Sequence, residues 1–246
     1  MTRLHFAVAI IAILIRSINS CASPGPLYLY YYDRPPFHFT TSDGSVSGFV
    51  ANITEDILNQ AGIPYVWRQV PAVRILNVLR QDGDISCSPG WYKTLEREKL
   101  YNFSLPIYEG KPLVAVTRVD FRVPEVTTAV KIFSIPGINI VYKKGMVTGE
   151  YLDGILSKVP INQIHIVTLE EAGKLKMIQA GHFDLTLLTA EEADYYKNNS
   201  ELFVNLKIIK MTDVPGGDKR FILCNKAVPA AIMEKINATI KHLKLP

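Results

Sequence analysis

The chain has 246 residues, 48% of them hydrophobic, and a formal net charge of +4 at pH 7. Its Lys and Arg residues are scattered, without the clustered basic face that counterion release on a polyanion requires, so a nucleic-acid partner is excluded. At about 100 to 200 residues per domain the length fits one large domain or two modest ones.

Arg3 is followed by an unbroken apolar run from Phe6 to Ile15 and a polar stretch ending in Ser20, Cys21 and Ala22. This is the pattern of a secretory signal peptide over 1–22. The run is too short for about 30 Å of hydrocarbon, which takes roughly 20 helical residues. The mature protein is therefore expected to be exported and soluble, periplasmic or secreted. Cleavage before Ser23 and a lipid anchor on Cys21 are the two alternatives, the second resting on a poor lipoprotein box at Ile18 to Cys21. Without the leader, 25 basic residues face 23 acidic ones, a net charge of +2. Two cysteines remain, Cys87 and Cys224. An oxidising compartment suggests one disulfide; two small buried residues that never meet are the other reading.

Leu27 to Tyr32 reads as an apolar, aromatic strand. After the turn at Asp43-Gly44, apolar residues at Phe49, Val50, Ile53, Ile57, Leu58 and Ala61 recur with helical spacing. Gly62 and Pro64 stop that helix, Tyr65 to Val70 is a second strand, and a second helix begins after Pro71. Asp82-Gly83-Asp84 turns the chain into a strand from Ile85 to Ser88. There follow a polar turn carrying Arg97 and another strand, a layout that suits gripping a ligand more than catalysis.

The same order recurs from Ile138: strand Ile138 to Tyr142, a helix opened by Gly145 and Thr148 and running to Leu156, strand Ile164 to Thr168, helix Glu170 to Gln179, and strand Leu185 to Leu188. Alternating strands and helices predict parallel sheets with helices on both faces, so the chain reads as two α/β lobes. Phe221 to Cys224 and the amphipathic stretch Pro229 to Leu243 would expose apolar surface if left alone and are placed back on the first lobe. That gives lobe one as 27–118 and 218–246, and lobe two as 119–217. Paired crossings are expected at Thr117 to Phe121 and Thr212 to Lys219, where apolar patterning lapses. Two crossings make a hinge, and doubly wound sheets bind ligands at the carboxyl ends of their strands.

Four pieces carry a family resemblance: Tyr32-Asp33-Arg34-Pro35-Pro36-Phe37 after the first strand, Gly48-Phe49 opening the first helix, Gly83-Asp84 before the third strand, and Thr94 to Pro106 with Arg97 and Phe103-Ser104-Leu105-Pro106. In this order they resemble the extracellular solute-binding proteins of family 3, the polar amino-acid receptors of ABC transporters, over nearly the whole mature chain. The resemblance implies a type II periplasmic-binding-protein-like fold: two doubly wound α/β lobes joined by a two-strand hinge, with a cleft between them.

The resemblance also implies site residues. Arg97 maps onto the arginine that grips a ligand carboxylate, a role suited to a planar, bidentate guanidinium; pairing with Glu96 or Glu98 on a solvated helix is the alternative. Arg34 stands where the family often has an aromatic residue, which points to an acidic or polar ligand or to a stacking arginine. Phe37 reads as core. Thr148 either receives an anionic oxygen or caps its own helix. Thr189 occupies the position of the expected ammonium-binding acid, with Glu191 and Glu192 just beyond. Trp91 and Tyr92, in the turn before Arg97, would cover the ligand, Ser88 faces it better than Ser86, and Arg74 reads as surface.

The implied function is capture of a small carboxylate-bearing solute, by a monomer, for an ABC permease or a membrane sensor, with no cofactor and no metal. A dehydratase-like enzyme on a cyclic acid is an alternative, but His38, His165 and His182 are scattered and form no acid–base constellation. A sensory or partner-binding module of the same fold is the third reading.

Overall fold

The computed structural model describes residues 25–246 apart from residue 82. The leader at 1–22 and Cys21 lie outside the described residues.

Strand β1 (Leu27–Tyr31) is buried on both sides because parallel neighbours flank it and helices cover both faces. A small hairpin, β2 (Phe39–Thr40) and β3 (Val46–Ser47), leads to α1 (Phe49–Gln60), which buries Val50, Ala51, Thr54, Ile57 and Leu58 as one stripe. Gly48, at φ 117°, precedes the helix, and a Cβ there would sit 2.5 Å from the Phe37 carbonyl oxygen. Only glycine lets the chain pass so close. Then come β4 (Tyr65–Gln69), α2 (Ala72–Gln81), β5 (Ser86–Tyr92), α3 (Leu95–Leu100) and β6 (Asn102–Glu109). The strand expected to stop at Ser88 continues through Trp91 and Tyr92, because the strand at Lys219–Cys224 pairs along that extension.

The second half begins with β7 (Leu113–Arg118), β8 (Val126–Thr127), α4 (Ala129–Phe133), β9 (Ile140–Lys143) and α5 (Glu150–Leu156). It continues with β10 (Ile164–Val167), α6 (Glu171–Gln179), β11 (Leu185–Thr189), α7 (Ala190–Asn199) and β12 (Leu206–Met211). The chain ends with β13 (Lys219–Cys224) and α8 (Ala230–His242).

Two sheets result, in the orders β4-β1-β5-β13-β6 and β10-β9-β11-β7-β12-β8. Each has a packed apolar layer on both faces. β13 and α8 return to the first sheet, where Ile236 and Ile240 join the core with Ile57 and Leu58. The fold is the two-lobed α/β architecture with a cleft.

Two expectations need correction. The sheets are mixed, not parallel: β13 runs antiparallel to β5 and β6, and β7 antiparallel to β11 and β12. A strand that enters a sheet from the other lobe has no helical crossover to fix its direction. The first crossing also lies at 110–112, between β6 and β7, and not at Thr117 to Phe121. β7 therefore belongs to the second sheet, whereas the sequence pattern groups 113–118 with the first lobe's strands. Its apolar run, Leu113 to Val116, carries no local mark of which sheet it joins.

The other crossing runs from Met211 to Lys219, and the two touch: Gly110 donates its backbone N–H to the Asp218 carbonyl at 3.2 Å. A Cβ on Gly217 would meet Gly110 and Lys111 backbone atoms at 2.3 to 2.4 Å. Gly217→Ala should therefore destabilise the fold by about 1 to 3 kcal/mol, the usual cost of overpacking. Urea unfolding measures this, and an unchanged midpoint would refute the tight approach.

Cys87 on β5 and Cys224 on β13 are disulfide-bonded in the core of the first lobe. Of the two readings open in the sequence, the structure shows the bond.

Candidate functional site

A cavity of about 540 Å³ lies between the two sheets, at the carboxyl ends of β1, β5, β9 and β11. Its charged lining is lopsided: Arg34, Arg97, Lys143, Lys144 and Arg220 face Glu171 and Glu192. Two of these groups have partners outside the lining, since Lys143 pairs with Glu170 and Glu171 lies 3.5 Å from the buried Lys174.

Arg97 sits in α3, whose N-cap Thr94 accepts the Arg97 backbone N–H at 3.3 Å. Its Nη1 donates to the Tyr92 carbonyl at 2.9 Å, and the guanidinium lies 4.9 Å from the centre of the Trp91 ring. Burial lowers its pKa, against the pull of Glu96. Glu98 pairs with Lys93, and Arg97 has no salt bridge among the described residues. The structure therefore gives Arg97 to the cavity and not to a surface ion pair. Trp91 and Tyr92 line the cavity too, from the end of β5 and not from a turn. Ser88 does not: it is buried, and its Oγ accepts the Trp91 Nε1–H at 2.8 Å, which fixes the ring. Phe37 is core, as expected, and Arg74 is exposed.

Arg34 reaches across the cleft, its Nε 2.7 Å from Glu192 Oε1. Glu192 Oε2 accepts from the Thr189 N–H at 3.0 Å and from its hydroxyl at 2.9 Å, while the Glu192 N–H donates to Thr189 Oγ1. This reciprocal arrangement is a capping box at the start of α7. Burial alone would raise the Glu192 carboxyl. Arg34 and the Thr189 N–H outweigh it and hold the pKa down to about 2. The Arg34 pKa is raised in turn, since Glu192 overcomes the loss of solvent. Thr189 thus lines the cavity as a cap, and the carboxylate that lines the cavity beside it is that of Glu192, three residues later.

Thr148 does not line this cavity. From the loop before α5 its hydroxyl bonds Asp153 within that helix, whose N-cap is Gly149, so Thr148 neither caps the helix nor faces this cavity. The loop's contribution to the cavity is the stretch at 144–147.

Arg220 was not singled out by its sequence position. It enters on β13, is 1% exposed, and stacks 4.4 Å from the Phe37 ring centre and 4.3 Å from that of Tyr92. Its Nη1 donates to the Gly90 carbonyl at 2.9 Å and its Nη2 to the Tyr92 hydroxyl at 2.7 Å. The one sequence signal for Glu192 was the Thr189-x-x-Glu192 spacing. Arg220 had none, because only the return of β13 to the first sheet brings it to the cleft.

His38 is buried beside these groups, with Nδ1 2.7 Å from the Tyr32 carbonyl oxygen, so that nitrogen carries the proton. Burial lowers its pKa from 6.5 to about 4; the Tyr32 carbonyl opposes this, and Arg34 and Arg220 reinforce it. The unfolded chain takes a proton that the folded protein refuses. His38 therefore withdraws stability as pH falls from about 6.5 to about 4, and no more below that. His38→Gln should flatten the unfolding midpoint against pH within that window; an unchanged slope would show that the histidine is not the titrating group.

Among the described residues no group of His, Cys, Asp and Glu can hold a metal ion, and no helix is long and apolar enough to cross a membrane.

Solved structures share this architecture. An ancestral arginine-binding protein bound to glutamine aligns at TM-score 0.70 and 19% identity, covering 89% of this chain and 92% of that one. The arginine-, lysine-, histidine-binding protein ArtJ from Geobacillus stearothermophilus gives 0.70 and 20%, covering 89% of each chain. Holo ArgBP from T. maritima gives 0.68 and 20%, covering 89% and 90%. At such identities the likeness establishes the fold. A comparison with curated proteins returned no match. The family model for bacterial extracellular solute-binding proteins, family 3, matches residues 29–245, from within β1 to beyond α8, and the chain belongs to that family.

Proposed function

We propose that this protein captures a small carboxylate-bearing solute, an amino acid or a related polar acid, in the cleft. It presents the closed form to an ABC permease or a membrane sensor, and it acts as a monomer. The jaws are drawn around the two sheets, residues 27–109 with 219–246 against 113–211, with the paired crossings as the hinge. The observation that carries this reading is Arg97: a guanidinium braced by the Tyr92 carbonyl and the Trp91 ring, with no carboxylate partner among the described residues, on a cavity the size of a small-molecule site. Glu192 adds a carboxylate on the opposite jaw for an ammonium or other donor, in competition with Arg34.

Binding is favoured over catalysis because the buried titratable groups are committed. Glu192 is held ionised by Arg34 and Thr189, and His38 is held neutral against Tyr32, so neither is poised to exchange a proton near neutral pH. Thermal-shift screening of the mature chain against amino acids, dicarboxylates, peptides and cyclic acids tests the reading. Stabilisation by a carboxylate without product formation supports it. Turnover of a cyclic acid, or no stabilisation by any carboxylate, overturns it.

A further inference from the structure

Resting on that reading, we propose that the solute carries two anionic groups, one held by Arg97 and the other by Arg220. Both guanidiniums line the cavity, and neither forms a salt bridge among the described residues. Arg220 is the more demanding of the two. It is 1% exposed, its two terminal nitrogens have only neutral acceptors, and its buried Nε has no hydrogen-bond partner. A buried charge without a counter-ion is costly, and cation–π attraction from the faces of Phe37 and Tyr92 offsets only a small part of that cost. Glu192, the acid in this part of the cleft, is already taken by Arg34, so two guanidiniums share one carboxylate.

Tyr92 sets the spacing. Its backbone carbonyl accepts from Arg97 Nη1 and its hydroxyl accepts from Arg220 Nη2, so the two cations are tethered to opposite ends of one residue, its main chain and its ring hydroxyl. An α,ω-diacid lying along that ring meets one guanidinium with each end. A neutral or cationic solute side chain would leave Arg220 buried and uncompensated. Were Arg220 only a brace for Gly90 and Tyr92, the charge at the far end of the solute would not matter to affinity.

The test is isothermal titration of the mature chain with L-aspartate, L-glutamate, succinate and glutarate against the mono-amide of each. The best diacid should bind at least about tenfold more tightly than its mono-amide, the difference a close charge pair makes in a desolvated site. Arg220→Gln should abolish that preference. Should that variant fail to fold, Tyr92→Phe, which keeps the ring and the carbonyl but removes the acceptor of Nη2, should shrink the preference several-fold. Mono-amides that bind the wild-type protein as well as the diacids overturn this inference and leave the proposed function standing, as does a preference that persists in the variants. No binding by any of these carboxylates overturns both.

Discussion

Arg97→Met should weaken binding of a carboxylate-bearing solute by about 30-fold to several thousand-fold, corresponding to roughly 2 to 5 kcal/mol for truncating one member of a desolvated charge pair. Methionine keeps much of the packing against Trp91 while removing every donor, so the loss reports on the charge-assisted hydrogen bonds. The fold should be little affected, because α3 contributes no buried residue to a core. Titration calorimetry on a solute found by thermal shift measures the change, with urea unfolding as the control. A variant that binds within twofold of wild type while folding normally would remove Arg97 from the site, and the proposed function would lose the residue that carries it.

Reduction of Cys87–Cys224, or its replacement by a pair of serines, should cost about 2 to 5 kcal/mol of stability. The upper part of that range is expected because the bond closes a loop with a sequence separation of 137 residues. That loop contains the whole second lobe, and the bond ties β5 to β13, the strand that returns from it. Two buried hydroxyls in place of the sulfurs would add a desolvation penalty, so the serine variant should be at least as unstable as the reduced protein. Denaturant unfolding with and without a reductant gives the answer. Identical midpoints would show either that the bond is not formed in solution or that the strand pairing alone holds the two strands together.

The local elements were legible because each is written in a short window. The stripe Val50, Ile57, Leu58 announces α1, and Gly62 and Pro64 announce its end. Arg97 could be found because Thr94 to Pro106 is one contiguous stretch, and Trp91 and Tyr92 because they adjoin it. Ser88 was misplaced for a geometric reason. Alternation along a strand says which residues share a face, but not that a neighbouring tryptophan will take the hydroxyl. Thr148 was misplaced because Gly149, at φ 87°, starts the helix and leaves the threonine to Asp153.

By itself the sequence determined the alternation of strands and helices and the return of the terminal strand and helix to the first sheet, since hydrophobic period and turn residues act over neighbouring residues and an apolar strand and helix must be covered. Only the tertiary structure decided which sheet β7 joins, that Glu192 faces Arg34 from 158 positions away, and that Arg220 lines the cavity beside Tyr92. Those outcomes depend on which elements pack together and on charges whose energies are set by the solvent that packing removes. Neither quantity is a property of any one stretch of chain.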